Sequence, residues 1–145
     1  MRRRDGGQAL VETALLLPIL MVLLVGIFDV GRAAFLSGTL GHAVREGTRY
    51  AIVHGALSTQ PSGPGSASYT PPDTDTAVTA AVERHAIGIP ATLTVRSTWP
   101  DGNNYRGSQV VVSGSFPYTP VLSAAFLGGA LQVTLRASSR LVIEQ

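Results

Sequence analysis

Three histidines, His42, His54 and His85, are the side chains of this 145-residue chain best suited to holding a metal or moving a proton. They are widely spaced, no cysteine accompanies them, and no His-Glu-x-x-His pattern occurs. A structural or surface role therefore suits each better than ligation. Gly63-Pro64-Gly65-Ser66 lacks the lysine and the strand-to-helix setting of a phosphate-binding loop, and there is no Gly-x-Ser-x-Gly elbow. Asn103 and Asn104 are followed by the wrong residues for glycosylation. The serines and acids show no spacing that nominates a triad. The chain reads as neither an enzyme nor the holder of a metal or cofactor. Spacing that suggests chemistry occurs instead near the N-terminus, where Gly7-Gln8 is followed four residues later by Glu12.

Glu12 needs explaining because of what surrounds it. Residues 13–28 carry no charge and are dominated by Leu, Ile, Val and Met. Counted from Gln8, the apolar segment would run about 31 Å as a helix, enough to cross a hydrocarbon core. A charge inside such a helix costs roughly 2.5–3.5 kcal/mol on insertion scales. Asp29 and Arg32 mark the far boundary, and Arg2, Arg3 and Arg4 the near one. The excess of arginine before the span places the N-terminus in the cytoplasm and the rest outside. All eleven basic residues are Arg; three of them and one of the nine acids precede Gln8, leaving eight of each. The basicity is largely a property of the leader, which argues against nucleic acid as a partner.

Three readings compete for this segment. A cleaved secretory signal fits the basic start and apolar run, but Phe28-Asp29-Val30-Gly31-Arg32 is a poor cleavage context. A plain signal anchor explains span and orientation but leaves Gly6-Gly7 and Glu12 as coincidences. A prepilin-type signal accounts for all of them: a peptidase on the cytoplasmic side cuts after Gly7 and the helix is retained. The new ammonium on Gln8 of one subunit would then neutralise Glu12 of a neighbour. In a medium of low dielectric that pair interacts strongly, and because an unpaired Glu12 is costly it acts mainly as a register device. Without such a partner, Glu12 snorkels to the headgroups or pairs with the leader arginines. Pro18 should kink the span, and Gly26 would allow close helix approach.

Gly7-Gln8-Ala9-Leu10-Val11-Glu12, the apolar run with Pro18, Phe28-Asp29-Val30-Gly31-Arg32, and Ala43-Val44-Arg45-Glu46-Gly47-Thr48-Arg49-Tyr50-Ala51 together resemble the TadE-like family over about residues 6–53. These are minor pilins or pseudopilins of Tad (tight adherence, Flp-type) pilus systems. The resemblance implies that Gly7 is the last leader residue, Gln8 the first mature one and Glu12 the registry glutamate. It implies a place in pilus biogenesis, surface adhesion and biofilm formation, with the lipid bilayer, a prepilin peptidase, other Tad pilins and pseudopilins and the assembly platform as partners. Major Flp pilins usually follow the glutamate with tyrosine and are very short, whereas this chain has Thr13 and a large region after the helix. Both departures imply a minor component. The implied location is a single pass through the cytoplasmic membrane with the C-terminal domain exported, or a place in the pilus itself. The alternative is a bitopic envelope protein whose exported domain binds a ligand or surface, with no assembly.

Beyond the membrane the helix should continue to about His54. Leu36, Leu40, Ala43, Gly47, Tyr50 and His54 recur at 4-3-4-3 spacing and share one face. That stripe is expected to pack mainly on the chain's own sheet, with contact to partner pilins as the alternative for part of it. Asp29, Gly31, Arg32, Arg45, Glu46, Gly47 and Arg49 are the candidate contact residues of the helix. For Arg45, Glu46 and Arg49, a solvated face competes with a charged contact to the next subunit. The remaining organisation is a leader over 1–7, a transmembrane helix over 8–28, a helical extension over 29–54, a flexible Ser/Gly/Pro-rich loop over 55–72 and an exported domain over 73–145. In that domain Asp73–Asp75 should cap a helix over 77–85, followed by strands over 91–98, 108–116 and 131–143 and a crossing or short helix near 121–127. The expected fold is α+β: a long N-terminal helix, membrane-spanning in its first half, on a small three-stranded, mainly antiparallel sheet with a short second helix. That architecture is pilin-like by analogy.

Overall fold

The computed structural model describes residues 5–144, with side chains from Gly7 onward; the leader residues Arg2, Arg3 and Arg4 lie outside the described residues. One α-helix, α1 (Asp5–Val53), takes up the first third of the chain and contains Pro18. Leucine and alanine favour it, and three threonines within it return their hydroxyls to the preceding turn: Thr13 to Ala9 O, Thr39 to Phe35 O and Thr48 to Val44 O. Two compact units follow from the contacts, one made of the chain to Ala34 with residues 119–132, the other of residues 35–118 with 133–145.

In the first unit, α1 is long and apolar enough to cross a membrane, and none of its most apolar stretch is buried. Leu10 is 73% and Phe28 77% exposed. A helix apolar on every side has no stable place in water, since each large side chain left out costs roughly 1.5–3 kcal/mol. The rest of this unit is a short helix, α3 (Val121–Phe126), and the turn after it. Ser123 organises that turn: its carbonyl accepts from the Leu127 and Gly129 N–H groups, and its Oγ from Leu131 N–H at 2.9 Å. The turn passes through Gly128 and Gly129 at φ 57° and 79°, backbone that only glycine adopts without strain.

The second unit is built on a three-stranded antiparallel meander of β3 (Thr94–Thr98), β4 (Gln109–Tyr118) and β5 (Val133–Val142). β4 is central and alternates cleanly, with Val110, Val112, Gly114 and Phe116 on the buried face. The inward row Val95, Gly114 and Ala137 is in register across all three strands. Leu40 and Val44 of α1 lie on this row: a Cβ added at Gly114 would meet Leu40 Cδ1 at 2.9 Å and Val44 Cγ2 at 3.0 Å. The missing side chain in β4 thus makes room for the helix. Gly114→Val should overpack this contact and destabilise by about 1–3 kcal/mol, lowering the thermal midpoint of the detergent-solubilised chain by several degrees.

The expected α+β architecture, with a long helix on a three-stranded antiparallel sheet, is the one observed. Its details differ from the sequence reading in three places. The buried face of α1 is wider than the 4-3-4-3 stripe: Leu36, Leu40 and Ala43 are buried, but so are Val44, Thr48, Ala51 and Ile52, while Tyr50 and His54 are half-buried and stack at 3.9 Å. The helix has two neighbours to satisfy, the sheet and α2 (Thr76–His85). The compact unit also begins well before residue 73, because the second half of α1 supplies part of its core.

Third, residues 55–72 contain a two-residue strand, β1 (Tyr69–Thr70), paired with β2 (Thr74–Asp75) across a cis Pro71-Pro72 bond. The loop is fastened at several points. Asn104 donates to Ser62 O at 2.8 Å and accepts from Ala56 N–H, and Ser62 donates both N–H and Oγ to His54 O. Gly63 lies against the Trp99 ring, where an added Cβ would come within 2.4 Å. The expected flexibility is replaced by hydrogen bonds and packing from residues distant in sequence.

Candidate functional site

Along the first turns of α1, Gly7, Gln8, Val11, Glu12 and Leu15 line one shallow open groove on the helix surface. Spacings of three and four put them on one face by the 3.6-residue period. All five side-chain positions are exposed, and among the described residues nothing lies within 4 Å of where a Gly7 Cβ would be. Gln8 and Glu12 are i, i+4, one turn apart. The geometry presents an acid and a peptide bond on one uncrowded strip with the apolar helix beginning beside them.

Asp29 has a different setting. It stands about 26 Å further along the helix at 1.5 Å per residue, yet it is only 8% exposed. Its Oδ1 accepts from Val121 N–H at 2.8 Å and its Oδ2 from Leu122 N–H at 2.9 Å. α3 starts after Pro120, which offers no side-chain cap. A carboxylate from α1 therefore satisfies two of the N–H groups that every helix start leaves open, and its charge suits the positive end of the helix. Asp29→Ala should release this start: amide exchange at Val121 and Leu122 rises by roughly 2- to 30-fold, matching the roughly 0.5–2 kcal/mol of a lost cap. Exchange measured by NMR or mass spectrometry in detergent checks it, and unchanged protection refutes the capping role.

The remaining helix residues divide. Gly31 is exposed, with open space where its side chain would be. Arg32 lines a small apolar groove with Val25, Phe28, Asp29 and Val121. Gly47 has a definite role: a Cβ there would come within 2.3 Å of Val82 Cγ2, so the glycine lets α1 approach α2. Arg45 and Arg49 are exposed and Glu46 half-buried. Glu46 forms no ion pair with either arginine among the described residues; the ion pair found in this unit joins Arg96 Nη1 to Asp73 Oδ2 at 2.7 Å on the sheet.

The histidines do not converge on a metal site. His42 and His85 rings stand 6.1 Å apart, while His54 and His85 each place Nδ1 2.9 Å from a carbonyl one turn back. No group of three metal-ligating side chains occurs among the described residues.

Sequence reasoning missed the capping by Asp29 and the central position of Asp75. Asp75 was one of several capping candidates; it is fully buried and accepts four hydrogen bonds, from Ala77, Val78 and Gly63 N–H and from Ser68 Oγ. No signal in the sequence pointed to Asp29: Thr119-Pro120 ahead of the apolar residues reads as an ordinary helix start.

Residues 7–49 match the family model described as TadE-like protein. The match lies wholly within α1, starts at Gly7 and includes Glu12, Asp29, Gly31, Arg32, Arg45, Glu46, Gly47 and Arg49. It leaves the sheet and the loops uncovered. No curated protein and no solved structure matches the chain.

Proposed function

We propose that this chain is a minor pilin or pseudopilin of a Tad pilus system, inserted by a prepilin-type signal and cut between Gly7 and Gln8. The observation that carries the reading is the TadE-like segment itself: it begins at Gly7, contains Glu12, and coincides with a helix whose apolar surface is left uncovered. A secretory signal would be removed with its helix, yet here α1 continues into the core of the sheet-bearing unit through Leu40 and Val44. In this reading the helix is kept and the cut is made on its cytoplasmic side. In this reading the role is structural, in pilus biogenesis, adhesion and biofilm formation, with the sheet-bearing unit exported.

Glu12 would sit among apolar helices of an assembly, and the ammonium created on Gln8 of a neighbour would neutralise it. Such a pair adds little net stability, because both charges lose water, but a mispaired neighbour would leave a carboxylate uncompensated. Intact-mass analysis after coexpression with a prepilin peptidase is the direct test. The expected product starts at Gln8; a mature chain beginning at Met1 or beyond Phe28 overturns the reading.

A further inference from the structure

We propose that α3 and the turn after it form a foot that lies in the outer leaflet of the bilayer that α1 crosses, an inference that rests on the membrane anchoring proposed above. Residues 119–132 carry no charged side chain. Within them Ser123 is the buried residue of α3, whereas Val121, Phe126, Leu127 and Leu131 are exposed, Phe126 by 71%. That is the reverse of a water-facing helix, which turns its apolar side inward. An exposed apolar cluster of this kind marks a surface meant for contact.

Lipid is the occupant because of where the cluster is tied. The two hydrogen bonds from Val121 and Leu122 to Asp29 fix the start of α3 at the first charged residue beyond the apolar run. Counted from Gln8, that residue lies about 32 Å along the helix, one hydrocarbon thickness from the start. The attachment point is thus the boundary between acyl chains and headgroups. The apolar surface of α1 continues onto the foot through Phe28 and Val121, which line one groove with Val25, Asp29 and Arg32. A short apolar segment with an aromatic tip suits that depth. Asp29, its charge engaged by two backbone N–H groups, would tolerate the boundary better than a bare carboxylate.

The chain has no cysteine, so single labels can be placed cleanly. Phe126→Cys, Leu131→Cys, Phe28→Cys and Gln60→Cys, each carrying a nitroxide, would be reconstituted as full chains in phosphatidylethanolamine–phosphatidylglycerol vesicles. Collision with oxygen and with a water-soluble nickel chelate is then read by electron paramagnetic resonance. Labels at 126 and 131 are expected to favour oxygen over nickel several-fold more than the label at 60, and to lie shallow. A label at 126 or 131 that behaves like the one at 60, while 28 is in lipid, overturns the foot and leaves the anchor standing. Shielding of 126 and 131 from both reagents indicates a protein partner and also overturns it. A water-accessible label at 28 overturns anchor and foot together. Because Phe126 and Leu131 are both exposed, neither replacement removes core packing, and the two sites check each other.

Discussion

Asp75→Ala is expected to destabilise the sheet-bearing unit by about 3–5 kcal/mol, a large share of the 5–15 kcal/mol typical of a folded domain. The carboxylate is fully buried and works in two directions. Oδ1 accepts from Ala77 and Val78 N–H at 2.9 and 3.1 Å and so starts α2; Oδ2 accepts from Gly63 N–H at 2.7 Å and Ser68 Oγ at 3.0 Å and so holds the 55–72 loop. Its own N–H donates to Ser97 Oγ of β3. Loss of a cap costs roughly 0.5–2 kcal/mol, and each donor left buried without an acceptor roughly 1–3 kcal/mol. The total falls below the simple sum because the loop can open and hydrate its groups. Asp75→Ser separates the two arms: a serine oxygen can still cap α2 but cannot also reach the loop, so the loss should be smaller, with amide protection falling chiefly at Gly63. Denaturant unfolding of the detergent-solubilised chain, followed by circular dichroism, checks both. A change under about 0.5 kcal/mol for Asp75→Ala, the scale of an ordinary surface substitution, removes Asp75 from this role.

The parts of the fold that could be read in advance are those fixed by local pattern. Uncharged residues 13–28 can hardly be anything but a spanning or buried helix, and the alternation of β5 is plain in the sequence. Yet that clearest strand lies at the sheet edge, and Val133 and Leu141 of its apolar set remain about half exposed. The helix lies over β4 instead, because Gly114 there leaves the room, and a single glycine among valines and serines gives no sign of what approaches it. Residues 55–72 have the composition of a flexible linker, but Asn104, Asp75 and Trp99 hold them, and composition carries no record of long-range partners. Asp29 is the sharpest instance. Beside an apolar run it reads as a boundary charge; 92 residues later in the chain lies the helix start it caps. At the N-terminus, spacing and the family resemblance together pointed to Gly7, Gln8 and Glu12, and the fold adds only that the three share one exposed helix face.

Gly7→Val should leave the precursor uncut, and Glu12→Gln should be cut normally yet fail to enter the assembly; the contrast separates processing from registry. Among the described residues nothing stands where a Gly7 side chain would go, so valine should leave α1 intact and any loss of cleavage reports on the peptidase's own site. The effect is near all-or-none, read as a chain that keeps its leader mass. Glu12→Gln acts in the opposite sense. Removing a charge from the edge of the span eases insertion, since a carboxylate there costs roughly 2.5–3.5 kcal/mol at the helix centre and less toward the headgroups. Anchoring should thereby be preserved, and only the proposed pairing with a neighbour's Gln8 ammonium would be lost. Gel mobility of the processed chain together with its recovery in sheared pilus fractions measures both steps. Cleavage of the Gly7→Val chain at the parent rate refutes the processing site. Assembly of the Glu12→Gln chain at the parent level refutes the charge pairing while leaving processing intact. A plain membrane anchor predicts no response to either substitution, because it needs neither cleavage nor a charge partner in a neighbour.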